Sequence, residues 1–464
     1  MRASRPRRPS AVRTVVGLAA AAALLLVGAP SATAAPAAPP PGEAHPGYTI
    51  VAPELAPLTV DGGQTRVLAG VHRHAGYLIE VPPDWNGELV MWAHGFRGNG
   101  PELIVDPPAY DLRERWIGQG YAWAASSYDR NGYDVAAGVE STRALVAEFA
   151  RQVERPARVY LAGVSMGGHI TARAVEQDPW LYAGALPMCG VLGDHELFDY
   201  FLDFQLVAAA LAGVPGTYPP GPDHERAVLP RIYAGLGLEP GNPAVRTPEA
   251  EQLRAATVLD SGGPRPGAEA SFSYWKDFLF ELGVPGEEPT PVTGVARDPG
   301  AVAGNIGTDY VPDQPVDLDA VVQRVPVADE RARETRRLNE VAQVFGRPRV
   351  PVLSLHGLGD LFVPFAMEQV YAEEVAAAGR ADDVVQRAIR VTGHCEFSAV
   401  EAGTAWDDLV AWVGGGQRPA GDAVADPAAV ADPAFGCAFS DPAAYAAAGP
   451  PAQDDTRRLY DPCP

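Results

Sequence analysis

Residues 157–170 run ARVYLAGVSMGGHI. The apolar run Val159-Tyr160-Leu161-Ala162 has the character of a buried strand. Gly163-Val164-Ser165-Met166-Gly167 follows it, and apolar residues at helical spacing come next. A serine on a tight strand-to-helix turn needs neighbours without a Cβ, or its hydroxyl cannot stand clear of the backbone. A helix starting directly behind it turns free N–H groups and a positive dipole end toward charge developing in front. The G-x-S-x-G pattern in this setting makes Ser165 a candidate nucleophile. The plainer alternative is a glycine-rich turn with an incidental serine.

Outward from this stretch, apolar strands alternate with helical patterns. Residues 88–93, 121–127, 183–188, 349–355 and 384–391 read as strands. Helices are expected near residues 110–117, 139–153, 366–378 and 405–413, and the helix after the serine should reach Glu176. Residues 48–71 and 76–81 read as short strands, with a hairpin turn at Asp61-Gly62-Gly63. This order predicts a mainly parallel sheet with helices on both faces. Reactive residues then belong at the carboxyl ends of the strands. The rhythm breaks between residues 192 and 345. Residues 196–212 and 271–282 are apolar, aromatic helices there, and 213–270 is rich in Pro and Gly. The segment is expected to be a helical cap inserted between two strands; an independent domain is the alternative.

A serine hydroxyl needs a base to take its proton, and the base needs a carboxylate to fix its tautomer. Asp360, in His356-Gly357-Leu358-Gly359-Asp360, and His394, in Gly393-His394-Cys395, each follow an apolar strand. Of nine histidines, only His394 lies between the last core strand and the last helix. His94, His169 and His356 are expected to be structural. Asp360 could instead cap the helix after it; Asp194 and Glu396 are the fallback acids. By the turn geometry, the Met166 N–H is one oxyanion donor.

The chain order Ser165, Asp360, His394 resembles the α/β-hydrolase superfamily over roughly residues 65–415, in particular its secreted esterase, lipase and polyester-hydrolase-like branches. The resemblance implies an α/β-hydrolase fold and a serine ester hydrolase without a cofactor. Val363-Pro364 after the acid matches the family's D-x-x-V-P pattern. The resemblance also assigns the second oxyanion donor to the Phe96 N–H of the His94-Gly95-Phe96 loop. In tannase- and feruloyl-esterase-like members, a cysteine after the histidine bonds one beside the serine. Here Val164 holds that place, and Cys189 is the available substitute partner for Cys395.

The 47% hydrophobic and 20% charged content is that of a globular chain. Residues 1–34 combine Arg2, Arg5, Arg7, Arg8 and Arg13, an Ala/Leu-rich core and Ala32-Thr33-Ala34. They are read as a secretory signal peptide, with residues 35–46 a disordered linker. Removing those five arginines takes the formal charge from −22 to about −27. That disfavours nucleic acid as a partner. Four cysteines in an exported chain suggest two disulfides, with three pairings open. Cys437 and Cys463 lie together in the Ala/Pro-rich tail, residues 416–464, which leaves Cys189 with Cys395; buried free thiols are the alternative for that second pair. No spacing fits a metal site or a dinucleotide fingerprint, and no stable membrane anchor is expected.

The domain plan is thus a core at 47–191 and 346–415, a cap at 192–345 and the tail. Tyr128, Phe201 and Trp275 are the candidate substrate contacts, for a small-molecule or polymeric ester. A peptidase or amidase of the prolyl-peptidase type is the alternative, followed by a catalytically silent binding module on the same fold. The sequence carries no reading of oligomeric state.

Overall fold

The computed structural model describes residues 42–283, 290–450 and 455–463. The segment read as a signal peptide, most of the one read as a linker, residues 284–289 of the expected cap and residues 451–454 and 464 of the tail fall outside them. Eight strands form the main sheet: β1 (Arg66–His72), β2 (Ala75–Val81), β3 (Glu88–Ala93), β4 (Ala122–Ser126), β5 (Arg158–Val164), β6 (Gly184–Met188), β7 (Val352–Gly357) and β8 (Val384–Ile389). Their spatial order is β8-β7-β6-β5-β3-β4-β2-β1. Every pairing is parallel except β1 with β2 and β2 with β4. Strands β2 through β4 and β6 through β8 are buried along their length. This explains their near-continuous apolar sequences, since helices cover both faces.

The helices are α1 (Leu112–Gly118), α2 (Val135–Gln152), α3 (Met166–Gln177), α4 (Glu196–Leu211), α5 (Leu229–Leu236), α6 (Pro248–Asp260), α7 (Ala268–Glu281), α8 (Ala366–Ala377) and α9 (Ala399–Val413), with single turns between some of them. The two-residue period of β3 shows how the core divides. Val90 and Trp92 join Trp116 of α1 and Trp406 of α9 on one face, whereas Leu89 and Met91 join α2, α3 and α8 on the other. The Trp116 and Trp406 rings meet at 5.3 Å, closing the first face with two fully buried indoles.

Among the described residues, 192–345 add no strand to the sheet. Helix α4 is apolar almost all round, as a helix buried among others must be, and it packs on α5, α6 and α7. Asp199 of α4 is paired with Arg333 at 2.7 Å, which fastens the end of the segment to its beginning. Among the described residues, no helix is long and apolar enough to cross a membrane.

Residues of the tail pack along edge strand β8. Asp422 donates its N–H to Gln386 O of edge strand β8 at 2.8 Å and accepts from Ala388 N at 2.8 Å. Val424, Val430, Phe435 and Tyr460 are buried with Leu358, Phe365 and Ala388 in a small core of their own. An edge strand exposes unpaired backbone groups, and the tail covers them.

Candidate active site

The serine turn forms where strand β5 meets helix α3. Ser165 has φ 58° and ψ −122°, a left-handed conformation that costs a non-glycine residue about 1–3 kcal/mol. Neighbouring backbone holds it there: Ser165 N–H donates to Met188 O at 3.0 Å, and Ser165 O accepts from Gly168 N at 2.8 Å. A Cβ on Gly163 would strike the Gly167 carbonyl, and one on Gly167 would strike the Ala93 carbonyl. The glycines flanking the serine are therefore required by close backbone approach.

His394 Nε2 lies 2.9 Å from Ser165 Oγ. Its Nδ1 lies 2.6 Å from Asp360 Oδ2. Asp360 is fully buried. Its other oxygen, Oδ1, accepts N–H from Phe362 at 2.9 Å and Val363 at 3.0 Å. Those bonds close a turn directly after β7, well short of α8, whose cap position is Phe365. The carboxylate thus faces the histidine and does not cap the helix. The fallback acids are engaged elsewhere. Asp194 contacts His195 and accepts Val344 N–H at 2.9 Å. Glu396 accepts from Gly393 N, Thr456 N and Thr456 Oγ1.

The three other strand-end or elbow histidines are buried and engaged by backbone or tyrosine groups. His94 Nδ1 sits 2.7 Å from Gly95 O, and burial pushes its pKa down. His169 is enclosed between Tyr133 Oη at 2.9 Å and Ala342 O at 2.6 Å. His356 lies 2.8 Å from Val363 O, bracing the turn that carries Asp360.

Met166 is the first residue of α3, so its N–H belongs to the unpaired first turn. A Cβ on Gly95 would lie 3.1 Å from Ser165 Cβ and 3.6 Å from Ser165 Oγ. The His94-Gly95-Phe96 backbone therefore passes beside the serine. The Phe96 side chain is 41% exposed.

Two pairs of cysteines are bridged: Cys189 with Cys395, and Cys437 with Cys463. The first joins the end of β6 to the residue after His394 across 206 residues of chain. Tyr110 Oη adds a hydrogen bond to Cys395 O at 2.7 Å. With Cys189 and Cys395 bridged, neither sulfur is a thiolate available to a metal beside His394.

The expected substrate contacts need correction. Tyr128 is sealed from solvent; its ring stacks on His94 at 4.1 Å and its hydroxyl donates to His94 O at 3.0 Å. A phenol buried in an apolar layer must find such a partner, so Tyr128 braces the Phe96 loop from behind. Phe201 and Trp275 are also buried, and the Trp275 indole N–H donates to Thr392 O at 2.8 Å. The aromatic residue against the site is Phe362, which the sequence reading passed over. Its ring meets His394 at 5.0 Å, Phe278 at 4.8 Å, Phe201 at 6.2 Å and Trp275 at 6.4 Å. Its position two residues after the acid was the available signal.

A sheet in this strand order, with an antiparallel second strand and a serine on a strained turn after the fifth, is the α/β-hydrolase fold. No protein-family model matches the chain. Among curated proteins it is similar to o-phthalyl amidase of Xanthobacter agilis, 24% identical over 402 residues, spanning 74% of this chain and 86% of that one. Among solved structures it is similar to feruloyl esterase B from Aspergillus oryzae, with a TM-score of 0.45 and 14% identity over 77% of this chain and 81% of that one. The rice cell wall degrading esterase LipA from Xanthomonas oryzae has a TM-score of 0.34 and 14% identity over 75% of this chain and 87% of that one.

Proposed function

We propose that the chain is an exported serine hydrolase that cleaves carboxylic esters through an acyl-enzyme. The observation that carries this reading is the unbroken hydrogen-bond path Asp360–His394–Ser165, at 2.6 and 2.9 Å. In this reading His394 Nε2 takes the Ser165 proton as Oγ attacks the acyl carbon, and Asp360 holds the imidazolium. The Met166 and Phe96 N–H groups receive the oxyanion, each worth roughly 3 kcal/mol of transition-state stabilisation. His394 then protonates the departing alcohol, and later activates the water that frees the acid. Phe362 and the partly exposed Phe96 and Phe278 suit an apolar or aromatic group beside the scissile bond. Two disulfides fit an oxidising compartment.

Amide hydrolysis is a second reading, favoured by the similarity to o-phthalyl amidase. The same residues serve either bond, so the leaving group decides. A panel of p-nitrophenyl esters of acetate, butyrate, octanoate and benzoate, run beside the matching anilides, separates the two. The ester reading expects turnover of the esters, with the benzoate among the best. Turnover of anilides with none of esters would replace it by the amidase reading.

A further inference from the structure

The tail enters the candidate site from an unexpected side. Thr456 is fully buried. Its Oγ1 accepts N–H from Thr392 at 2.6 Å and from Gly393 at 3.0 Å, the two residues immediately before His394. Its own proton goes to Glu396 Oε2 at 2.6 Å. A hydroxyl offers one proton and two lone pairs, and here all three are used. Four residues further on, Tyr460 Oη donates to Val391 O at 2.9 Å. Each residue from Val391 to Gly393 thus has one backbone group bonded to a tail side chain. A Cβ on Gly359, next to Asp360, would collide with the same Tyr460 hydroxyl. Arg457 closes a buried ion pair with Glu401 of α9 at 2.7 Å, and Cys463 is bridged to Cys437. The tail segment is therefore fixed at both its side chains and its end.

We propose that Thr456 is a positioning residue for His394: its hydroxyl fixes the backbone that sets the imidazole between Asp360 and Ser165. This rests on the reading of His394 as the general base. Neither Thr456 nor Tyr460 touches the reacting atoms. Their effect is on where the base stands, and misplacing a catalytic group by an ångström can cost on the order of 100-fold.

The test is steady-state hydrolysis of p-nitrophenyl acetate by the full chain and four variants. Thr456→Val keeps the volume and removes the hydroxyl; it should lower kcat by about 10- to 100-fold with KM within about twofold. Thr456→Ser restores the hydroxyl and should return kcat to near the parent. Tyr460→Phe removes the bond to Val391 O and the longer one from Thr392 Oγ1 but keeps both Thr456 bonds, and gives a smaller loss in the same direction, which keeps the proposal testable should Thr456→Val fold poorly. The low-field proton resonance of the His394 Nδ1–H, assigned by its loss in His394→Gln, should persist in Thr456→Ser and broaden or vanish in Thr456→Val. A Thr456→Val protein with parent kcat and an unchanged imidazole line overturns the proposal, as does a Thr456→Ser protein equally slow. Ser165→Ala, run beside them, separates the two levels. If it keeps full activity, the underlying reading fails. If it is inactive while Thr456→Val is not slowed, only the positioning role fails.

Discussion

Asp360 divides its two oxygens between two tasks. Oδ1 closes its own turn through the Phe362 and Val363 N–H groups, and Oδ2 faces His394. Asparagine in its place can keep the turn through its amide oxygen, but then presents an N–H to Nδ1. The imidazole is pushed to the wrong tautomer, with its proton on the nitrogen facing Ser165. Asp360→Asn should therefore fold normally and lose about 10³- to 10⁴-fold in kcat on p-nitrophenyl acetate. A loss below tenfold in a well-folded variant would mean that the carboxylate does not orient the base. Phe362 makes a different expectation, since its side chain packs T-shaped against His394 and against Phe278 of the aromatic cap. Phe362→Ala should raise KM for p-nitrophenyl benzoate several-fold more than for the acetate; equal effects on both would deny it a part in acyl-group selection.

At the scale of elements, the sheet was legible because strands buried on both faces must be largely apolar, and the six parallel strands, β3 through β8, each end at a loop or turn facing the site or supporting it. Helix limits were less legible for a local reason. Residues 213–270 are rich in Pro and Gly, which hides their helices, yet Pro230 and Pro248 sit in the first turns of α5 and α6, where a missing N–H costs nothing. Thr247 caps α6 by accepting Ala250 N–H at 3.2 Å. Helix α9 likewise starts at Ala399, six residues before the expected point, because Ser398 and Glu401 form a capping box. The serine, acid and histidine were legible from their order and strand-end placement. Phe362, Thr456 and Tyr460 were not, because their roles come from tertiary contact and no periodic pattern marks them. The Cys189–Cys395 bridge ties two strand-end loops across 206 residues. A loop of that length gives roughly 3–5 kcal/mol of stabilisation. The Cys189→Ala/Cys395→Ala double variant should show a loss of that size in urea unfolding. An unchanged midpoint and slope would show the tether to be dispensable.

For the whole molecule, two buried groups impose opposite pH trends on stability. The Asp134 carboxyl, pushed up to about 6 by burial against an ordinary value of 3.8, holds its proton longer in the fold than in the unfolded chain. Stability from this group therefore falls as pH rises between about 4 and 6, by about 2–3 kcal/mol. His169, pushed down to about 4 by burial from 6.5, does the reverse. Its contribution is complete above pH 6.5 and is lost as pH falls toward 4. Asp134 also caps α2 by accepting Ala137 N–H, and asparagine is an equal cap. Asp134→Asn should thus raise the Tm at pH 7.5, with the gain gone by pH 4; a gain independent of pH would refute the assignment. His169→Gln should flatten the acid side of the same curve.

The expectations about activity depend on Ser165 being a nucleophile activated through His394. That claim is tested most directly by treating the protein with a fluorophosphonate probe and locating the adduct by peptide mass spectrometry. The account predicts a single adduct on Ser165, absent from Ser165→Ala and strongly slowed in His394→Gln. No adduct on the folded protein, or equal labelling of Ser165→Ala, would contradict it.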